Sequence, residues 1–295
     1  MILVTGATGF IGPKVVHALR ERGHQVRALV RDRSRAGELN AWGVELVEGD
    51  VTKPETLGAA VAGAETVVHL VAILQGRPED FEQVMTQGTR NLVAAAKDAG
   101  VGRFVLMSAL GASEETARDI PYYRAKLAME HAVEESEMPY VIFRPSFVFG
   151  RGGGALPTFM SLARAPVTPI VGPGRQRIQP IWVDDVAAYF AEGVGRDDVL
   201  NRTFEIGGPD VVDWNGLYDR IKRAIGARRP SIHIPFGVMR VQARLLSALP
   251  GPTPITPDQV RMLAAGDNVV ADDTAVRVFG LPLVPLDEQL RRAAA

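Results

Sequence analysis

VTGATGFIG, residues Val4–Gly12, decides the fold. Its glycines stand at 6, 9 and 12, between an apolar run, Met1–Thr5, and a helical pattern from Ile11 to Arg22. In that setting Gly6 permits a tight turn, Gly9 lets backbone approach a pyrophosphate, and Gly12 lets the helix pack close to the strand. The helix N-terminus adds free amides and the positive end of a dipole. A glycine triplet alone is a weak signal, and the strand before it and the helix after it give it meaning. The candidate cofactor contacts in the loop are therefore Gly6, Thr8, Gly9, Phe10, Ile11 and Gly12.

Working outward, apolar runs at Gln25–Val30, Val44–Glu48, Thr66–Leu70, Arg103–Met107 and Tyr140–Phe143 alternate with helical stretches. The longest of these are Phe81–Ala99 and Pro121–Glu137. Continuous rather than alternating apolar strands require burial on both faces. The pattern predicts an α/β fold, a doubly wound parallel sheet of Rossmann type with helices on both sides. After Gly150 the character changes, and RGGGALP and APVTPIVGPGRQRIQP read as loops. A helix is expected at Asp184–Gly193, a strand at Thr203–Ile206, and helices near 213–225, 236–249 and 257–264. The expected division is a nucleotide-binding domain over 1–150, with 181–206 returning to it. A smaller C-terminal substrate domain takes 151–180 and 207–295.

The 295 residues are 46% hydrophobic and 23% charged, the balance of an ordinary globular protein with a sizeable core. A net charge of −1 advertises neither nucleic acid nor an anionic membrane as a partner. With no cysteine, disulfides, thiolate metal sites and cysteine nucleophiles are excluded, and no metal site is expected. No apolar run is long enough for a membrane span, and no basic, apolar leader opens the sequence, so a soluble cytoplasmic protein is expected.

The end of the second strand chooses between dinucleotides. A carboxylate there would accept a ribose 2′-hydroxyl and repel a 2′-phosphate. QVRALV instead runs into Arg31–Asp32–Arg33–Ser34–Arg35. Guanidinium groups suit a 2′-phosphate, so Arg31 and Arg33 point to NADP(H), with Asp32 the argument for NAD(H). Asp50, at the end of the third strand, is placed for the adenine, and Val51 beside it, Leu70 at the end of the fourth strand and Val71 are further candidate cofactor contacts.

PYYRAK, residues 121–126, puts Tyr122 and Lys126 four apart, on one face of a helix. Spacing alone does not identify an acid/base pair, because Tyr218 and Lys222 repeat it in LYDRIK, where a surface pair is expected. The first copy has better context. It follows the strand RFVLM and Ser108, and precedes the strand YVIF.

Taken in order, VTGATGFIG, YYRAK, FRPSFVFG (143–150), IWVDDVA (181–187) and FEIGGPD (204–210) resemble the extended short-chain dehydrogenase/reductases, the superfamily of sugar-nucleotide epimerases and dehydratases. MSALGAS (107–113) and YYRAK look most like the atypical branch holding the NAD(P)H-binding accessory subunit of respiratory complex I. The resemblance implies that Lys126 holds the nicotinamide ribose and lowers the Tyr122 pKa, and that Tyr122 exchanges a proton with a substrate oxygen. It places Pro145 and Ser146 beside the nicotinamide, and makes Ser108 the serine nearest the catalytic position. The family's usual serine falls at Leu110, however, and its usual asparagine at Met85.

Two functions stay open: an oxidoreductase or epimerase acting on a small or nucleotide-linked metabolite, and a non-catalytic NADP(H)-binding protein. Family members often pair through the long helices, so a homodimer is a further expectation. His69 reads as a core residue whose backbone passes the cofactor, and Asp184–Asp185 as a helix cap. Arg151, Arg175 and Arg177 read as loop arginines over the cleft, and GVMRVQARLLSAL (237–249) as an amphipathic helix packed on the core.

Overall fold

The structure is a computed structural model that describes residues 1–247 and 255–294. The first half runs β1 (Ile2–Thr5), α1 (Gly12–Glu21), β2 (Val26–Val30), α2 (Gly37–Ala41), β3 (Glu45–Glu48), α3 (Leu57–Val61) and β4 (Thr66–His69). It continues through α4 (Pro78–Phe81), α5 (Gly88–Asp98), β5 (Arg103–Met107), α6 (Glu114–Asp119), α7 (Pro121–Glu134) and β6 (Tyr140–Pro145). The second half adds β7 (Val148–Gly150), β8 (Gly153–Gly154), α8 (Leu156–Arg164), β9 (Thr168–Val171), β10 (Arg177–Ile178), β11 (Ile181–Trp182), α9 (Val183–Gly195) and β12 (Arg202–Ile206). The chain then passes β13 (Val212–Asp213), α10 (Trp214–Ala224), β14 (Ser231–Ile234), α11 (Phe236–Ser247), α12 (Pro257–Ala264), α13 (Thr274–Phe279) and α14 (Leu286–Ala294).

Seven parallel strands form the central sheet in the order β3-β2-β1-β4-β5-β6-β12. This is the doubly wound Rossmann-type sheet. The order reverses between β1 and β4, and ligands bind at the carboxyl ends of strands beside such a switch point. Alternation along the strands sorts the core. Ile2, Val4, Val105 and Met107 face a layer with α1, α9 and α13, while Leu3, Phe104 and Leu106 face one with α3, α5 and α7. A separate cluster of Phe149, Met160, Trp182, Leu217, Tyr218 and Leu290 holds the C-terminal elements together.

Several expectations are corrected. The stretch Phe81–Ala99 is not one regular helix: Glu82–Gln87 is π-helical between α4 and α5. There Gly88 N donates to the Gln83 carbonyl, and the Thr89 hydroxyl to the Met85 carbonyl at 2.6 Å. RGGGALP is not loop throughout: Arg151–Gly152 is the turn between β7 and β8, Gly153–Gly154 is β8 itself, and Leu156 opens α8. Tyr218 and Lys222 are not a surface pair. Tyr218 packs in the C-terminal core, and Lys222 donates to the Ser231 hydroxyl at 3.0 Å. Asp184 and Asp185 do not cap α9. Asp184 accepts from the Trp182 indole at 2.9 Å, and buried Asp185 from the Val284 amide at 2.9 Å. The helix expected over 236–249 runs to Ser247, and residues 248 and 249 lie outside the described residues.

Candidate functional site

The glycine loop closes β1 onto α1 through contacts that only glycine allows. Gly6 has φ +74, and a Cβ there would meet the backbone of Leu70 and Val71 at 3.0 Å. A Cβ on Gly12 would run into the Gly6 carbonyl oxygen and the Ala7 backbone. Gly9 differs, because its Cβ would meet only the Gly6 oxygen, at 3.3 Å, with open space beyond. Thr8 and Gly9 are exposed, and Phe10 and Ile11 half-buried, at the start of α1. The loop thus presents bare backbone at a helix start over the switch point, a cradle that fits the pyrophosphate of a dinucleotide.

Phe10 is wedged against the β7–β8 hairpin. A Cβ on Gly150 would lie 2.7 Å from its ring, and Gly153 and Gly154 are also filled by it. Gly150, Gly153 and Gly154 are therefore the seat of a residue from the glycine loop.

At the end of β2, Asp32 holds the turn that follows it. Its Oδ1 accepts from the Ser34 amide at 2.8 Å and the Ser34 hydroxyl at 2.7 Å. These bonds hold its carboxyl below the ordinary range. Arg33 is turned toward β3, donating to the Leu46 carbonyl at 3.0 Å. Arg31 and Arg35 are exposed and make no ion pair among the described residues. Asp50 Oδ1 accepts from Thr52, and Val51 packs on Gly88 while its carbonyl accepts from Asn91.

Lys126 is fully buried, and its Nζ donates to the Met107 carbonyl at 2.6 Å. Burial pulls its pKa down to about 7, with Glu130 opposing. The Nζ lies 6.0 Å from the centre of the Tyr122 ring. Tyr122 itself is buried against Phe81 and Tyr123, with ring centres 6.3 Å and 5.5 Å away. Burial pushes its phenol well above the ordinary value, the opposite direction to that implied by the resemblance. Ser108 follows Met107, and its Oγ is buried with no hydrogen-bond partner. Met85 and Leu110, at the expected asparagine and serine positions, are both buried and apolar.

Below this lies a closed polar chain. Thr5 Oγ1 stands 2.6 Å from His69 Nδ1, and Thr89 Oγ1 3.0 Å from His69 Nε2. Because Thr89 already donates to Met85, Nε2 carries the proton and Thr5 donates to Nδ1. Burial and the nearby Lys126 hold the ring's pKa down to about 3, so it is neutral. His69 is a satisfied core residue.

Pro145 ends β6, and its carbonyl accepts from the Leu110 amide at 2.9 Å. Buried Ser146 donates to Asn268 Oδ1 at 2.7 Å, and Asn268 Nδ2 donates to the Leu110 carbonyl at 3.1 Å. Asn268 therefore ties the C-terminal segment across the ends of β5 and β6. Nothing in the sequence around Asp267–Asn268 signals this role. Arg144 is held by buried Glu130 at 2.9 Å and Arg177 by Asp267 at 2.7 Å, while Arg151 and Arg175 are exposed. Among the described residues no cluster of three metal-ligating side chains is present, and no helix is long and apolar enough to cross a membrane.

The chain is similar to proteins of several roles. It is 35% identical to the ceramide reductase of Caulobacter vibrioides over 64% of this chain and 59% of that protein, so it spans under two thirds of this relative. It is 29% identical to the mitochondrial subunit 9 of the NADH dehydrogenase (ubiquinone) 1 alpha subcomplex of Arabidopsis thaliana, over 96% of this chain and 73% of that one. The crystal structure of Citrobacter sp. triphenylmethane reductase complexed with NADP(H) superposes with a TM-score of 0.80, at 23% identity over 99% of this chain and 100% of that one, a likeness of fold. Residues 6–156, from the first glycine of the loop past the hairpin that seats Phe10, match the family described as NAD(P)H-binding, and the chain belongs to that family.

Proposed function

We propose that the chain is an NADPH-dependent oxidoreductase acting on a small metabolite, with Tyr122 as proton donor and Lys126 and Ser108 beside it. The observation that carries this reading is Lys126. A lysine wholly removed from water, with a carbonyl as its hydrogen-bond partner, is costly in a helix that only supports the fold. Perturbed groups of this kind cluster at sites of chemistry.

When bound, the reduced nicotinamide supplies a hydride. The proton that balances it comes from Tyr122, whose raised pKa keeps its Oη protonated near neutrality. Lys126, drawn down to about 7 by burial, is a second group at the site that changes protonation near neutrality. The Ser108 hydroxyl, with no protein partner, is available to orient the substrate oxygen. Arg31 and Arg35, with Asp32 engaged by Ser34, favour the 2′-phosphate of NADPH.

A second reading rests on Met85 and Leu110. Apolar side chains at these positions remove the donors expected there, which favours binding without turnover, as in an accessory subunit. Tyr122→Phe separates the two. NADPH oxidation on a panel of carbonyl and quinone substrates should fall at least a hundredfold, with NADPH affinity kept. Turnover that survives the substitution sinks the role given to Tyr122, and absence of turnover on the whole panel despite tight NADPH binding favours the second reading.

A further inference from the structure

Charge is distributed unevenly along this chain. Residues 220–257 hold seven basic side chains and no acidic one, in a chain of net charge −1, which leaves −8 for the rest. Arg220 pairs with Asp287, and Lys222 with Asp219. Arg223, Arg228, Arg229, Arg240 and Arg244 have no ion pair among the described residues.

α11 lies within this segment. Met239 and Ala243 are its buried face, packed with Val260, Ile234 and Val171. Val238, Val241 and Leu245 are 56%, 59% and 67% exposed, and their spacing puts them on one face, pointing away from the protein. Arg240 and Arg244 are exposed on the same helix, which carries no carboxylate. A helix with one apolar face in the core and a second in water, flanked by arginines, is built for an interface.

The neighbouring ribbon continues this surface. β9 and β14 pair with Pro169 opposite Ile232 and Val171 opposite Ile234. Alternation puts Val167 and Ile232 on the face where Val171 and Ile234 meet α11. α11 covers one end of that face and leaves the other bare, so that Ile232 is 49% exposed.

We propose that this face seats on an anionic lipid surface. α11 lies in the interface with Val238, Val241 and Leu245 among the acyl chains, and Arg240 and Arg244 reach the phosphates. Charge complementarity selects this occupant, since unpaired arginines beside an apolar stripe match phosphate above hydrocarbon. A depression of about 470 Å³ lined by Lys222, Arg223, Arg228 and Arg229, with Asp219 paired to Lys222 in its wall, is a further basic concavity for anionic headgroups. The inference uses neither the glycine loop nor Tyr122, so it stands or falls apart from the proposed reaction.

The test is co-sedimentation of the full chain with vesicles of phosphatidylcholine, alone and mixed with phosphatidylglycerol. Binding to the anionic vesicles should be at least about tenfold tighter and weaken with added salt. Val241→Asp with Leu245→Asp should lower it about tenfold or more, as should Arg240→Glu with Arg244→Glu. All four residues are exposed, so unchanged melting and NADPH binding show that the fold survives. Equal binding to neutral vesicles, no binding, or variants that bind like the parent would overturn the proposal. So would self-association of the chain that the Asp variant abolishes in the absence of vesicle binding, which would make the stripe a contact between copies.

Discussion

Lys126 makes its hydrogen bond to the carbonyl of Met107, at 2.6 Å, and that carbonyl belongs to the last residue of β5. The lysine therefore fastens α7 to the strand whose next residue is Ser108. Its pKa of about 7, against an ordinary 10.5, has a consequence for stability. Between those values the unfolded chain holds this proton and the folded chain does not, so the lysine's contribution to stability rises with pH across that window and is constant below it. Unfolding by urea at a series of pH values should show this rise in the parent and its loss in Lys126→Met.

Two glycines of the loop should separate folding from binding. Gly12→Ala drives a methyl into the Gly6 carbonyl, an overpacking that costs about 1–3 kcal/mol or more, read as a lower melting temperature. Gly9→Ala adds its methyl on the open side, so the melting temperature should hold while NADPH affinity drops. Equal losses of both properties in the two variants would contradict the assignment of Gly9 to the phosphates.

Arg31→Ala should weaken NADPH binding about tenfold to a hundredfold, the worth of a charged hydrogen bond, and leave NADH almost untouched. Arg33→Ala should change the preference little, because Arg33 is committed to Leu46. Side-by-side fluorescence titrations with the two nucleotides decide this. A parent protein that prefers NADH would remove the argument for a 2′-phosphate contact.

Asn268→Ala removes the donor to the Leu110 carbonyl and one acceptor of Ser146, at a cost of about 1–3 kcal/mol. Asn268→Asp keeps the acceptor and loses the donor. Thermal unfolding should place it between the parent and the alanine variant, and equal melting of all three would show that the clamp carries no energy.

What was legible in the sequence followed from repetition and from steric necessity. Buried parallel strands read as apolar runs, and VTGATGFIG announced its turn because no other residue type fits at Gly6 and Gly12. What was hidden depended on partners distant in sequence. RGGG reads as a loop because Gly153 and Gly154, with Gly150 before them, make room for Phe10, which local pattern does not reveal. The π stretch at Glu82–Gln87 keeps ordinary helical residues and departs only in its hydrogen bonds. Asn268 had no local signal, since its partners stand 122 and 158 positions away. The whole-chain charge balance concealed the basic segment 220–257 by averaging it against the rest. Nor does the sequence show the turn that Asp32 holds with Ser34.

The seating of Phe10 also sets a timetable for synthesis. The glycine loop leaves the ribosome well before the pocket that receives its aromatic ring, which is made by Gly150, Gly153 and Gly154. Until those residues emerge, the ring has no seat, and the nascent β1–α1 unit exposes an apolar side chain beside its phosphate-binding backbone. A chain that stops before Gly150 therefore leaves Phe10 without its seat beside the phosphate-binding backbone.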